Sequence, residues 1–228
     1  NENMKTPAKC TACGNADNID VFQTINVREN PELKGKVKDG SLFLWQCPHC
    51  GQVNLAVFQT LYHDPDEKLM ILLLPDGSIP DQDRKMIEKK MESIAGQLVT
   101  EGADMEGYVL RMVSDVGSLI EKVNIHDAGL DDVVMEMSKY ITRMEIAGKL
   151  SDKEKAEAVM KAPFKFYKMN GPDNDITLSY PLDGQIQGVV IGFNVYEDCC
   201  GILQRNPSLR PGKGFAKVDA EWLAARMR

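Results

Sequence analysis

The chain lacks any apolar run long enough to cross a bilayer. A membrane-spanning helix needs about 20 consecutive apolar residues, whereas the longest apolar run here extends only from Leu69 to Leu74. The sequence does not open on a basic segment followed by an apolar stretch, which argues against a secretory signal. We therefore expect a cytoplasmic protein that makes no contact with a membrane.

The chain also lacks a concentrated basic segment. Its 27 Lys and Arg residues are scattered among 34 Asp and Glu residues, and the formal net charge is -7. Residues 1–76 carry 7 basic and 10 acidic residues, so their net charge is 7 - 10 = -3. Because proteins that bind nucleic acids neutralise phosphates with clustered cations, we do not expect a nucleic acid as the partner.

Sequence signatures of common enzymes are missing as well. We find no serine triad, no P-loop and no dinucleotide-binding fingerprint. His63-Asp64 and His126-Asp127 resemble a base with its carboxylate, but neighbouring side chains diverge, so turn and capping roles are favoured. Three acidic residues near helix ends are expected to act as capping and helix-dipole partners, and Arg111 is a possible ion-pair partner for one of them. They are Glu121, Asp131 and Asp132. We assign no catalytic residue.

The six cysteines are present in three pairs, and two of these pairs share one motif. Cys10-Thr11-Ala12-Cys13-Gly14 and Cys47-Pro48-His49-Cys50-Gly51 each place two residues between the cysteines and a glycine after the second. Two intervening residues let both sulfurs point at one metal, and the glycine permits the positive φ that turns backbone N–H groups toward them. The pattern predicts one structural zinc ion bound by Cys10, Cys13, Cys47 and Cys50.

Other interpretations of the two pairs stay open. A C-x-x-C pair also serves as a redox dithiol, although that motif usually begins a helix, whereas Cys47 and Cys50 lie between two strand-like runs. A four-cysteine iron–sulfur centre has similar spacing. The third pair, Cys199-Cys200, is expected in a strand, where adjacent side chains face opposite sides, and a buried free thiol is the favoured interpretation over a second metal or redox site.

The periodicity predicts an α+β protein. It comprises a zinc-ribbon-like antiparallel β unit, a helical middle segment and a small β-rich C-terminal unit, which we divide into domains at 1–150 and 151–228. The predicted strands are Asn18–Val27, Ser41–Gln46, Val53–Leu61, Lys68–Leu74, Tyr108–Val113, Phe164–Tyr167, Ile176–Tyr180 and Gly188–Tyr196. The predicted helices cover Pro31–Val37, 81–101 (with Met86, Met91, Ile94, Leu98 and Val99 on one stripe), 114–128, Leu130–Met144, a short segment after Ser151, and Asp219–Met227.

Several segments of the N-terminal half resemble the bacterial and archaeal CpXC domain, which is named for paired Cys-Pro-x-Cys motifs. The second cysteine pair fits this motif, whereas the first has Thr11 in place of proline. The resemblance extends over about residues 5 to 145, and it implies a metal-bound domain without assigning an activity. It rests on Ile25-Asn26-Val27, Pro31-Glu32-Leu33-Lys34, Asp39-Gly40, the run from Phe43 to Gly51, Leu61-Tyr62-His63-Asp64, Leu110-Arg111-Met112-Val113, Ile120-Glu121-Lys122 and Gly129-Leu130-Asp131-Asp132.

The sequence favours a non-enzymatic zinc module that docks a protein partner or its own copy. The alternatives are a zinc ribbon that binds nucleic acid, and an enzyme whose site lies outside the zinc centre. Methionines fill irregular contacts and are common on adaptable binding surfaces. We therefore expect the partner surface near the helices of residues 114–149, with Met135 on the outer face of its helix.

Overall fold

The computed structural model describes residues 3–77, 80–100 and 106–228, except for the side chains of residues 94–96 and 98–100. The described residues form seven α-helices and eleven strands in several small sheets, with 40% of the residues helical and 28% in strands. The predicted α+β class is confirmed.

Packing divides the chain into two compact units. The first unit contains residues 1–120 and 213–217, and the second contains residues 121–212 and 218–228. The domain boundary predicted at residue 150 stays a prediction.

The first unit contains most of the strands. Its elements are β1 (Asn3–Lys9), β2 (Ala16–Phe22), β3 (Thr24–Asn26), α1 (Glu32–Lys38), a 3-10 turn (Ser41–Phe43), β4 (Leu44–Gln46), β5 (Val53–Leu55), β6 (Thr60–Asp64), β7 (Leu69–Leu73), α2 (Asp81–Thr100), β8 (Val109–Val113) and the start of α3 (Val116–Asp127). The runs Asn18–Val27 and Val53–Leu61, each predicted as one strand, are both divided between two sheets, with breaks at Gln23 and after Leu55.

Two antiparallel hairpins and one mixed sheet make up this unit. β1 pairs with β2, and β4 pairs with β5, both antiparallel. The third sheet has the order β3-β6-β7-β8, with β3 parallel to β6 and β7 parallel to β8. Every residue of β7 is buried, as its uninterrupted apolar run predicts for a central strand.

Helix α2 begins where the sequence predicted, but its apolar face differs. Ile87 and Met91 pack against a buried cluster of Leu61, Met70, Leu72 and Leu74. Met86, which was predicted to share that stripe, is 68% exposed. The side chains of the other predicted stripe residues (Ile94, Leu98 and Val99) lie outside the described part of the chain.

In the second unit, one central helix packs against three others. The elements of this unit are the rest of α3, α4 (Asp132–Lys149), α5 (Lys153–Lys161), β9 (Lys165–Asn170), β10 (Asp175–Leu182), β11 (Gln185–Ile191), α6 (Phe193–Arg205), a 3-10 turn (Pro207–Leu209) and α7 (Ala220–Arg226). Because α4 packs against α5, α6 and α7, residues 132–139, Thr142 and Arg143 are all buried. Met135 is completely buried, so the prediction that it lies on an outer face was wrong.

Helix α6 was not predicted. The run Gly188–Tyr196 was assigned to a strand, but β11 ends at Ile191 and Gly192 precedes the first helical residue. Tyr196, Cys199 and Leu203 are the buried residues of α6 and follow helical spacing. Cys199 and Cys200 therefore lie on a helix rather than a strand, with Cys199 buried and Cys200 half-buried.

Candidate metal centre

The two predicted cysteine pairs lie at the tips of the two hairpins. Cys10 and Cys13 are in the turn between β1 and β2, and Cys47 and Cys50 are in the turn between β4 and β5. In each pair the first cysteine is buried and the second is exposed. The two turns therefore present their sulfurs in the same manner.

The backbone of the two turns shows one repeated hydrogen-bond pattern. The N–H of Gly14 donates to the carbonyl of Cys10 at 3.0 Å, and the N–H of Gly51 donates to that of Cys47 at 2.9 Å. The N–H groups of Cys10 and Cys47 in turn donate across each turn, to the carbonyls of Asn15 and Gln52. Gly14 and Gly51 have φ of 74° and 78°, a conformation that a side chain would strain.

All four sulfurs lie within 4.8 Å of one another. Cys10 Sγ is 3.5 Å from Cys50 Sγ, and Cys13 Sγ is 3.6 Å from Cys47 Sγ. Four sulfurs that each lie about 2.3 Å from a tetrahedral ion are about 3.8 Å apart. The observed separations are close to that value, so the cluster could hold a metal ion without rearrangement of the backbone.

Two of these cysteines, Cys10 and Cys50, differ strongly in pKa. Hydrogen bonds from the Cys13 backbone N–H and the Asn54 amide outweigh burial and lower the pKa of Cys10 to about 6. The Gln52 N–H acts to lower the pKa of Cys50, but the neighbouring Cys10 sulfur and burial raise it to about 12. The Cys10 thiol therefore loses its proton readily, and its negative charge opposes loss of the proton from Cys50. A bound cation would relieve this repulsion.

Asn54 links the two turns. Asn54 lies in β5, and only 4% of its surface is exposed. The backbone N–H and the hydroxyl of Thr11 both donate to Asn54 Oδ1 at 2.9 Å. Asn54 Nδ2 donates to Cys10 Sγ at 3.5 Å and to the Gln52 carbonyl at 3.1 Å. Because a backbone N–H can only donate, the Thr11 contact directs the amide nitrogen toward Cys10.

The remaining candidate residues have structural partners. His63 Nε2 is 2.8 Å from the Tyr108 hydroxyl, and burial lowers the pKa of His63. Asp131 accepts from the N–H groups of Val133 and Val134, so it caps α4 as predicted. His49 is exposed within its turn.

Glu121 and Asp132 form buried ion pairs. Asp132 lies in the first turn of α4, as predicted for a helix-dipole partner, whereas Glu121 lies in the interior of α3 and accepts from the N–H of Phe166. Glu121 contacts Lys139 Nζ at 2.5 Å, and Lys139 also contacts Glu136 at 2.9 Å. Asp132 pairs with Lys122 at 2.8 Å. The predicted pairing of Arg111 with one of these residues stays a prediction.

These features define a class, an α+β protein in which two hairpin turns bring four cysteines together around one candidate metal position. The model of the family described as CpXC protein matches residues 8–139, a segment that includes all four cysteines. The chain therefore belongs to the CpXC family, which confirms the resemblance seen in the sequence. No curated protein and no solved structure matches the chain. None of the described helices is long and apolar enough to cross a membrane.

Proposed function

We propose that the four cysteines bind one structural zinc ion, and that the chain is a non-enzymatic module that docks another protein. The observation that carries this proposal is the closed arrangement of four sulfurs within 4.8 Å. A catalytic zinc keeps one position for water or substrate, whereas four thiolates fill the tetrahedral shell.

The separations of the sulfurs favour a single ion. An iron–sulfur cluster places several iron and sulfide atoms between its cysteines and so holds them farther apart than one ion does. A redox dithiol would need one reactive pair, but here each sulfur contacts one from the other turn, at 3.5 and 3.6 Å. Both features support a single tetrahedral ion over a cluster or a redox dithiol, and zinc is the usual ion in a closed four-cysteine site.

An exposed apolar face beside the metal position supports the docking role. Leu44 of β4 lies opposite Leu55 of β5, and Val53 lies two residues before Leu55 on the same face of the hairpin. All three are more than half exposed. Because such clustered aliphatic side chains are uncommon on surfaces without a partner, this face suits a protein better than a phosphate backbone.

Elemental analysis of the purified protein tests the metal. We expect about one zinc per chain and no visible absorption from iron and sulfide. Cys47→Ser should lose the metal and lower the melting temperature, whereas the matched control Cys200→Ser should retain both. Stoichiometric iron, or a melting temperature that neither Cys47→Ser nor a chelator changes, would contradict the proposal.

A site-specific photocrosslinker tests the docking face. Placed at Leu55 in cells of the source organism, it should give one recurring protein adduct, which the same group at exposed Lys36 of α1 should not give. The adduct should disappear when Val53→Lys is added while the zinc content stays unchanged. Identical adducts from both positions would argue against a specific face.

A further inference from the structure

The three-stranded sheet of the second unit has two edges of different character. Edge strand β9 carries Lys165 and Lys168, and its register with β10 shifts at Thr177 and Leu178. Charged residues and irregular pairing are devices that prevent another strand from adding to an edge. The other edge, β11, has the sequence QIQGVVI, with no charged residue and no proline. Only β9 is thus protected.

The hairpin register shows which backbone groups of β11 face outward. A two-residue turn, Asp183-Gly184, joins β10 to β11, so its closing pair, Leu182 and Gln185, is hydrogen-bonded. Hydrogen-bonded pairs then alternate along the ladder, and Pro181, which has no N–H, occupies a non-bonded position opposite Ile186. The N–H and carbonyl groups of residues 186, 188 and 190 therefore point away from β10.

We propose that β11 pairs antiparallel with β11 of a second copy of this chain, about a two-fold axis at Gly188. In this register Gly188 meets its own equivalent, and Ile186 meets Val190 in both directions. All three outward-facing positions then exchange backbone hydrogen bonds, six in total by the alternation rule. The result is one continuous six-stranded sheet.

The side chains of β11 are also complementary about this axis. Ile186 and Val190 lie on the same face of the strand and are 74% and 61% exposed. Pairing places them directly across from each other, the arrangement in which apolar cross-strand pairs stabilise a sheet. Gly188 has no side chain at the centre of the pairing, so nothing crowds the axis. A charged partner strand would find no counter-charge on β11, whereas a second copy supplies matching apolar groups.

This association goes beyond the proposed function. β11 lies in the second unit, whereas the four cysteines lie in the first. Pairing of one short strand buries less area than a standard stable interface, so we expect a dissociation constant in the micromolar range.

Sedimentation velocity of the full, metal-loaded chain tests the proposal. The wild-type protein should pass from monomer to dimer across the micromolar range. V190K should weaken the dimer about tenfold or more, because both symmetric pairs then place a charge against an aliphatic side chain. I186E/V190K should restore it, because opposite charges then meet at both pairs. Y167K is the matched control: Tyr167 is exposed on the far edge strand β9, so the same charge there should leave the dimer unchanged.

Circular dichroism melts should show that each variant is folded. Concentration-dependent hydrogen exchange of residues 186, 188 and 190 reports on the pairing without any substitution, and we expect protection to rise as the dimer forms. A wild-type protein that stays monomeric to several hundred micromolar overturns the inference. So does a dimer that V190K leaves intact, or one that the double variant fails to restore although it folds.

Discussion

Replacement of Asn54 should weaken metal binding more than the size of the change suggests. Asn54→Ala removes the acceptor for both Thr11 groups and the donor to Cys10 Sγ. Asn54→Asp keeps the shape and can still accept from Thr11, but it places a carboxylate oxygen where an N–H now faces sulfur. The two variants therefore separate the linkage between the turns from the N–H···S contact.

The magnitude follows from these contacts. Each hydrogen bond contributes about 0.5–1.5 kcal/mol, and hydrogen bonds to charged groups contribute about 1.5–3 kcal/mol. Loss of a residue that orients a metal ligand typically lowers affinity by about 10- to 100-fold. We expect Asn54→Ala to fall in this range and Asn54→Asp to be at least as impaired, because its charge faces a thiolate in a mostly buried position.

Competition with a chromogenic chelator measures both affinities, and Gln52→Ala is the control because Asn54 contacts only the backbone carbonyl of Gln52. If Asn54→Asp binds zinc as tightly as the wild type, the N–H···S contact contributes nothing and the reasoning is refuted. If both variants match the wild type, Asn54 does not support the site at all.

The remaining predictions concern buried charge and nucleic acid. In a urea titration, Lys139→Met should lower the free energy of unfolding by about 3–5 kcal/mol, because Glu136 loses its ion-pair partner and Glu121 keeps only the more distant Lys165 at 3.9 Å. Lys155→Met, which breaks an exposed pair with Asp183, should cost less than about 1 kcal/mol in the same measurement. Burial acts to raise the pKa of Glu121, but the Lys139 and Lys165 charges outweigh it and lower that pKa below its ordinary 4.5. Its contribution to stability is therefore complete above pH 4.5 and is lost as the pH falls through the lower folded value, so Glu121→Gln should flatten the acid limb of the stability curve. Fluorescence anisotropy at physiological salt should detect no binding of DNA or RNA, since the chain has a net charge of -7; a micromolar affinity that falls steeply with added salt would contradict this.

The cysteine cluster was predictable because its motif is local. Two intervening residues and a following glycine largely determine the turn, so the sequence indicates how each pair presents its sulfurs before any tertiary contact is known. Asn54 was not predictable in this way. Its contact with Thr11 joins residues 43 positions apart, and a single asparagine in a short strand carries no signal of that contact.

The errors on α4 and α6 have two different physical causes. Periodicity assigns charged residues to the solvent side of a helix, but Glu136, Lys139 and Arg143 of α4 are all buried. Glu136 pairs with Lys139 at 2.9 Å, and Arg143 donates to the Ala162 carbonyl and lies over the Phe164 ring. These contacts offset the desolvation cost on which that rule depends. For α6, the β-branched run before Gly192 suits a strand, and the helical spacing of its apolar residues begins only afterwards.

A metal ion bound at the candidate position would have a structural consequence for the first unit. Among the described residues, one buried apolar cluster beside the hairpins contains Ile19, Val21 and Ala56, with Ala8, Trp45 and Phe58 packed against it. At about 1.5–3 kcal/mol for each large buried side chain, this cluster contributes several kcal/mol by itself. A long stretch of chain separates the hairpins, so closing the loop between them costs entropy. If the four cysteines bind a zinc ion as proposed, four metal–sulfur bonds would connect the tips of the two hairpins, a connection that this apolar cluster does not provide.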